Sequence, residues 1–247
     1  MDQSLSLARR AAAEGLAAFA LVFAGCGAII ANAQYHGALG SVGVSLVFGL
    51  IIMVMIYATG HLSGAHINPS VTLAFTLTRH FSPRDAVAYI AAQLTGATAA
   101  ALVLLGVWPS KPAHLGATVP TVAAGSAFLY EALLTAFLMF VIMAVATDTR
   151  AVGAAAAIAI GGVIGLDALF GGPVTGASMN PARSFGPALV SGTWTDFWVY
   201  VAGPIIGATA GALAYQLVRG RPPQPQPQDP QPTESERDRA QSVRLPA

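Results

Sequence analysis

Six apolar stretches, each close to the roughly 20 residues that a helix needs to cross a bilayer core, recur at 11–33, 41–60, 83–106, 125–147, 152–170 and 197–217. Two polar interruptions follow the second and fifth stretches in almost the same dress: Ala65-His66-Ile67-Asn68-Pro69-Ser70 and Ser178-Met179-Asn180-Pro181-Ala182-Arg183. At an N-cap, the Asn side-chain oxygen accepts from the first free backbone N–H groups. Pro at the next position loses nothing there, because its missing donor would have been an orphan. Each Asn-Pro therefore opens a short helix. The cap fixes the amide and leaves its NH2 as a donor directed away from the helix, so two such donors can face one pore.

The halves repeat an order of features: a Glu in the first span (Glu14, Glu131), a second span, the Asn-Pro segment, a third span. Three spans per half is an odd number, so the second copy lies upside down relative to the first, an inverted repeat. The Asn-Pro segments then start from opposite sides. The chain at 60–67 and 171–179 is rich in Gly, Ser and Thr and cannot face lipid with unpaired carbonyls. Two re-entrant half-helices meeting near the midplane satisfy both facts. The fold class expected is an all-α membrane protein of six transmembrane helices plus two re-entrant half-helices.

Composition agrees with that class. Hydrophobic residues make up 55% of the 247 and charged residues only 9%, which excludes an ordinary soluble domain. A net charge of +1 gives no footing for a nucleic-acid partner. The single Cys26 lies in an apolar run and reads as an inert buried thiol. Arg9 and Arg10 before the first span, Arg79 and Arg84 between the second and third, Arg150 between the fourth and fifth, and Arg219 and Arg221 after the sixth fall on one side. The opposite loops offer Lys111 as their cation, apart from Arg183. The positive-inside rule puts both termini in the cytoplasm. Beyond 218 the chain turns to Pro and Gln and then to mixed charge, a composition that cannot bury a core. The domain reading is a cytoplasmic N-terminus over 1–10, a channel domain over 11–218 with repeats near 11–123 and 124–218, and a disordered tail over 219–247.

His-x-Asn-Pro-x-Val-Thr from His66, Ser-Met-Asn-Pro-Ala-Arg-Ser-Phe-Gly-Pro from Ser178, an intramembrane Glu in each half, Gln93 in the third span and Gly203-Pro204 in the sixth together resemble the aquaporin (major intrinsic protein) family. The similarity covers residues from about 8 to 218. Gly-Pro-Val-Thr-Gly-Ala-Ser-Met-Asn-Pro-Ala-Arg-Ser resembles the plant nodulin-type branch, within an expected bacterial-type member sited in a bacterial inner (plasma) membrane. The resemblance implies pore motifs at Asn68, Pro69, Ser70 and Asn180, Pro181, Ala182, and a narrow filter of Phe48, Ala168, Ala177 and Arg183. It also implies carbonyls of Gly64, Ala65, His66 and of Gly176, Ala177, Ser178 along one wall, with Glu14 and Glu131 bracing the loops through their N–H groups. It implies a homotetramer with one pore per subunit. No nucleophile and base, and no metal set, occur at plausible spacing, so no cofactor, no metal and no enzymatic activity are expected.

The filter departs from strictly water-selective relatives, which usually place His where Ala168 stands. Two alanines leave a wider and less polar opening, through which small uncharged solutes such as glycerol and metalloid acids can pass besides water. Ser184 and Ala188 pull the other way, toward a strictly water-selective channel. Asp167, beside the filter, is expected to be hydrogen-bonded in the packing of the fifth span. A secondary transporter also uses inverted repeats and broken helices, but it needs a coupling group in its pathway. The two symmetric carboxylates suit bracing better. His61 and His66 lack a carboxylate to complete a metal site, and the Gly203, Gly207, Gly211 series reads as close helix packing.

Overall fold

A computed structural model describes residues 5–147 and 155–220. Arg150, Arg221 and the tail 221–247 lie outside the described residues. The elements are α1 (Leu7–Gln34), α2 (Gly40–Ser63), α3 (Pro69–Leu77), α4 (Pro83–Val107), α5 (Ala124–Thr147), α6 (Ala156–Thr175), α7 (Pro181–Ser191) and α8 (Val199–Arg219). Six of them, all but α3 and α7, are long and apolar enough to span a membrane. Helix α1 starts before the expected boundary at residue 11. Ser6 caps it by accepting from the Arg9 backbone N–H, and the Arg10 guanidinium donates to Asp85 on α4 at 2.8 Å. Paired in this way, Arg10 fits inside the helix, and a count of apolar residues has no means of seeing the pair.

Glycine sets how closely the spans approach, and it does so symmetrically. A Cβ at Gly96 of α4 would lie 2.0 Å from the Gly15 carbonyl oxygen of α1. Its counterpart at Gly207 of α8 would lie 2.1 Å from the Ala132 oxygen of α5. Gly211 meets the Ala136 oxygen in the same fashion at 2.2 Å, so the glycine series of the sixth span is a packing seam. The second spans of the two halves cross at Gly49 and Gly161, where a Cβ on either would lie 2.6 Å from the other's carbonyl oxygen. Backbones this close leave no room for lipid between them.

The short helices α3 and α7 begin at the Asn-Pro steps, each with Pro at its start and Asn as the cap. The chain entering them has the same unusual backbone twice. Positive φ angles of 88°, 48° and 55° at Gly64, Ala65 and Ile67 answer 88°, 41° and 52° at Gly176, Ala177 and Met179. Only Gly takes such angles without steric cost, so the other four residues must be held there by their surroundings.

Candidate functional site: a pore between two half-helices

Two buried carboxylates hold those loops. Glu14 Oε1 accepts from the Ser63 hydroxyl (2.6 Å) and the His66 N–H (2.9 Å), and its Oε2 accepts from the Ile67 N–H (2.6 Å) and Gln93 Nε2 (2.8 Å). Glu131 Oε1 accepts from the Thr175 hydroxyl (2.7 Å) and the Ser178 N–H (2.9 Å), and its Oε2 from the Met179 N–H (2.8 Å). Each loop is tied once more by a tyrosine, since Tyr89 donates to the Ser63 carbonyl at 2.8 Å and Tyr200 to that of Thr175 at 2.6 Å. Both tyrosine ties were missed from sequence. A signal for the hydroxyls was available: Ser63 and Thr175 each stand five residues before the capping Asn.

At the centre, Asn68 Oδ1 accepts from the Ser70 N–H at 2.8 Å, and Asn180 Oδ1 from those of Ala182 (3.0 Å) and Arg183 (3.3 Å). The amide groups then reach across. Asn68 Nδ2 donates to the Met179 carbonyl at 2.7 Å and Asn180 Nδ2 to that of Ile67 at 3.0 Å. The sequence suggested an NH2 free to face a pore; instead one hydrogen of each fastens the loops together. Since an amide carries two, the second remains for the lumen. Pro69, Pro181 and Ala182 are buried in the helix starts, as is Ser70, whose hydroxyl has no partner among the described residues. The carbonyls of Gly64, Ala65, His66, Gly176, Ala177 and Ser178 accept no hydrogen bond within the described residues.

Two cavities follow this axis. A channel cavity of about 120 Å³ is lined by Gly64 to Asn68, Ala177 to Asn180, and an apolar wall including Leu21, Ile52, Leu138 and Ile160. A vestibule is lined by residues including Ile29, Asn32, His114, Thr118 and Gly176. Phe48, Ala168 and Arg183 border both cavities, so they mark where the two meet; Ala177 lies on the channel side. Arg183 is 2% exposed. Its Nη1 donates to the Gly116 carbonyl at 2.8 Å, and its guanidinium carbon sits 5.0 Å from the Phe48 ring centroid. Its Nε and Nη2 have no protein partner among the described residues. Gly116 ends a strap in which Lys111, Ala113, His114 and Leu115 all have positive φ. The strap is pinned to α7 and the turn after it by Lys111 Nζ on the Val190 carbonyl (3.1 Å) and by a 3.2 Å contact between His114 Nδ1 and the Thr193 hydroxyl. Nothing in the chain's hydropathy pointed to the strap.

One expectation is corrected. Asp167 is buried, but its Oδ2 has no hydrogen-bond partner among the described residues. Its neighbours one turn away on α6 are Val163, Ile164, Phe170 and Gly171, none with a side-chain donor. It borders neither cavity.

Six spans, two broken helices joined cap to loop at the centre and a lumen running past them define a membrane channel built on an inverted repeat. The chain belongs to the major intrinsic protein family, whose model matches residues 1–215. It is 49% identical to Aquaporin NIP1-1 of Zea mays over 89% of this chain and 78% of that protein. It is 44% identical to Nodulin-26 of Glycine max over 87% and 80%. The X-ray structure of the aquaglyceroporin from Plasmodium falciparum superposes with a TM-score of 0.77 at 28% identity, covering 87% of this chain and 98% of that one. The chain is thus an integral membrane channel for water and small solutes, and not an enzyme. These two plant relatives give no support to the bacterial inner membrane expected from the sequence.

Proposed function

We propose that the chain conducts water together with uncharged solutes of glycerol size, boric and arsenous acids among them, through a filter of Phe48, Ala168, Ala177 and Arg183. The observation that carries this reading is that three of the four residues border both cavities and that Ala168, one of those three, has only a methyl group to narrow the opening. Nodulin-type proteins among its relatives and an aquaglyceroporin among similar structures support it.

A solute entering the filter meets the Arg183 donors with the Phe48 ring beside them, and two methyl groups on another side. It exchanges part of its hydration for hydrogen bonds and slides its carbon skeleton along the apolar wall. Past the filter, the unpaired loop carbonyls accept from its hydroxyls, and the second amide hydrogens of Asn68 and Asn180 donate to its oxygens. Hydrogen bonds on one wall only hold it weakly, which suits fast passage. Helix N-termini carry partial positive charge. Two of them at the centre, together with Arg183, oppose cations including hydronium. The carboxylates that a coupled transporter would need are filled by loop N–H groups. In this reading Glu14 and Glu131 brace the loops, residues 11–218 form the channel, 1–10 and 219–247 are cytoplasmic, and four copies assemble with one pore each in the lipid bilayer.

Stopped-flow light scattering on proteoliposomes tests it. The native chain is expected to re-swell in glycerol and in boric acid after osmotic shrinkage, and Ala168→His to abolish re-swelling while keeping water flow. Fast shrinkage without re-swelling in the native chain would leave a strictly water-selective channel.

A further inference from the structure

Helix α1 lines the lumen with Leu21 beside the channel cavity and Ile29 beside the vestibule, one helical turn to either side of Gly25. At the level of Gly25, between the cavities, that face carries no side chain. The Phe48 ring occupies the notch: a Cβ at Gly25 would stand 2.2 Å from its Cε1, 2.5 Å from Cζ and 2.7 Å from Cδ1. Real Cβ atoms do not approach carbon so closely, so any larger residue at 25 must move either the ring or a helix.

The helices have little freedom to move. Helix α2, which carries Phe48, is held against α6 by the Gly49–Gly161 crossing, and α1 against α4 by the approach of Gly96 to Gly15. A ring at the end of a rotatable side chain also yields more readily than two backbones, so the ring gives way first. On its other sides lie the lumen and the Arg183 guanidinium, 5.0 Å from its centroid. A displaced ring turns into the opening.

We propose that Gly25 is a positioning residue for solute size: it parks Phe48 against α1, and so keeps the gap beside Arg183 wide enough for a three-carbon polyol. Ala168 and Ala177 leave the filter open on one flank; Gly25 lets its one aromatic residue withdraw on the other. This rests on Phe48, Ala168, Ala177 and Arg183 being the filter.

The test is a double-mutant cycle of the native chain, Gly25→Ala, Phe48→Ala and the double variant, reconstituted in liposomes and read as the ratio of glycerol to water permeability. Gly25→Ala is expected to lower that ratio about tenfold, as overpacking against a ring at a constriction should, and to change it less than about twofold in the Phe48→Ala background. An unchanged ratio, or an equal drop in both backgrounds, overturns the proposal, because the substitution would then act through α1 packing. If Gly25→Ala fails to fold, rescue of folding by Phe48→Ala supports the coupling and failure of both variants overturns it. If the native chain passes water but no glycerol, the polyol width falls together with the wide-filter reading, and only the positioning of Phe48 by Gly25 is left to test. The coupling is then read from water permeability, which Gly25→Ala lowers only while Phe48 is present; a drop in both backgrounds overturns it.

Discussion

After Asn68 the chain continues Pro-Ser-Val-Thr, and after Asn180 it continues Pro-Ala-Arg-Ser. Up to those points the two loops agree in backbone angles, carboxylate partners, tyrosine ties and the cross-over of their amides. Beyond them they part. In the first half, Thr72 contacts His66 at 3.2 Å and accepts from Gln93 at 3.1 Å, so the polar atoms are spent within the half. In the second, Ser184 contacts Ser178 at 2.6 Å and accepts from Thr118 at 2.8 Å, which ties α7 to the chain just after the strap. Val71 stands where the other half has Arg183. The repeat supplies a frame that holds two opposed helix starts, and in the function proposed above the discriminating chemistry sits in one copy. A second arginine in the same narrow space would repel the first and would need a carbonyl of its own to bind.

The hardest challenge to the shared frame is removal of its carboxylates. Glu14→Ala removes an acceptor from four donors and Glu131→Ala from three, and in the first case the Ser63 hydroxyl still reaches the Thr59 carbonyl. At about 1–3 kcal/mol for each buried donor left unsatisfied, both variants should lose several kcal/mol, and Gln93 keeps Thr72 as an alternative. Thermal unfolding of detergent-solubilised protein should show two large, similar drops in Tm. A large drop in one variant with a native-like Tm in the other would break the equivalence of the halves.

The difference between the halves is tested by Arg183→Val, which makes the second half resemble the first at that position. The variant loses the hydrogen bond to Gly116 and the contact with Phe48, a cost of about 1–3 kcal/mol, which is smaller than that of either Glu variant. Function should change more than stability. Removing the fixed cation lowers the barrier to hydronium, so pH-gradient dissipation in proteoliposomes should speed up while water flow persists. Dissipation at the native rate would mean that the opposed helix starts suffice to exclude protons.

The frame was legible in the sequence because each of its parts is a local rule: span length, an Asn-Pro cap, an odd number of spans between copies. Arg183 was legible too, since an arginine among apolar residues at membrane depth needs a reason. What escaped was long-range. The strap at 111–116 is short and irregular, and its worth lies in the Gly116 carbonyl meeting an arginine sixty-seven positions later. Gly25 looked like any small residue in a span, because a notch is visible only once Phe48 fills it. Asp167 misled for the opposite reason: a carboxylate in a span was expected to find a partner, and its own helix offers none.

The hydroxyl link from the chain just after the strap to α7 offers the finest test of that asymmetry. Thr118 is buried, and its Oγ1 lies 2.8 Å from Ser184 Oγ, which is itself 2.6 Å from Ser178 Oγ. Thr118→Val keeps the shape and removes the donor, so the loss should be about 1 kcal/mol, a shift of a few degrees in Tm. Ser184 retains Ser178, so α7 keeps its cap on Asn180 and water permeability should stay near native. The strap end carrying Gly116 is only two residues away, however, and the Arg183 anchor loosens with it. Glycerol flow should therefore change more than water flow. If both change in equal proportion, the strap acts on stability alone and Arg183 is held by Gly116 without help from Thr118.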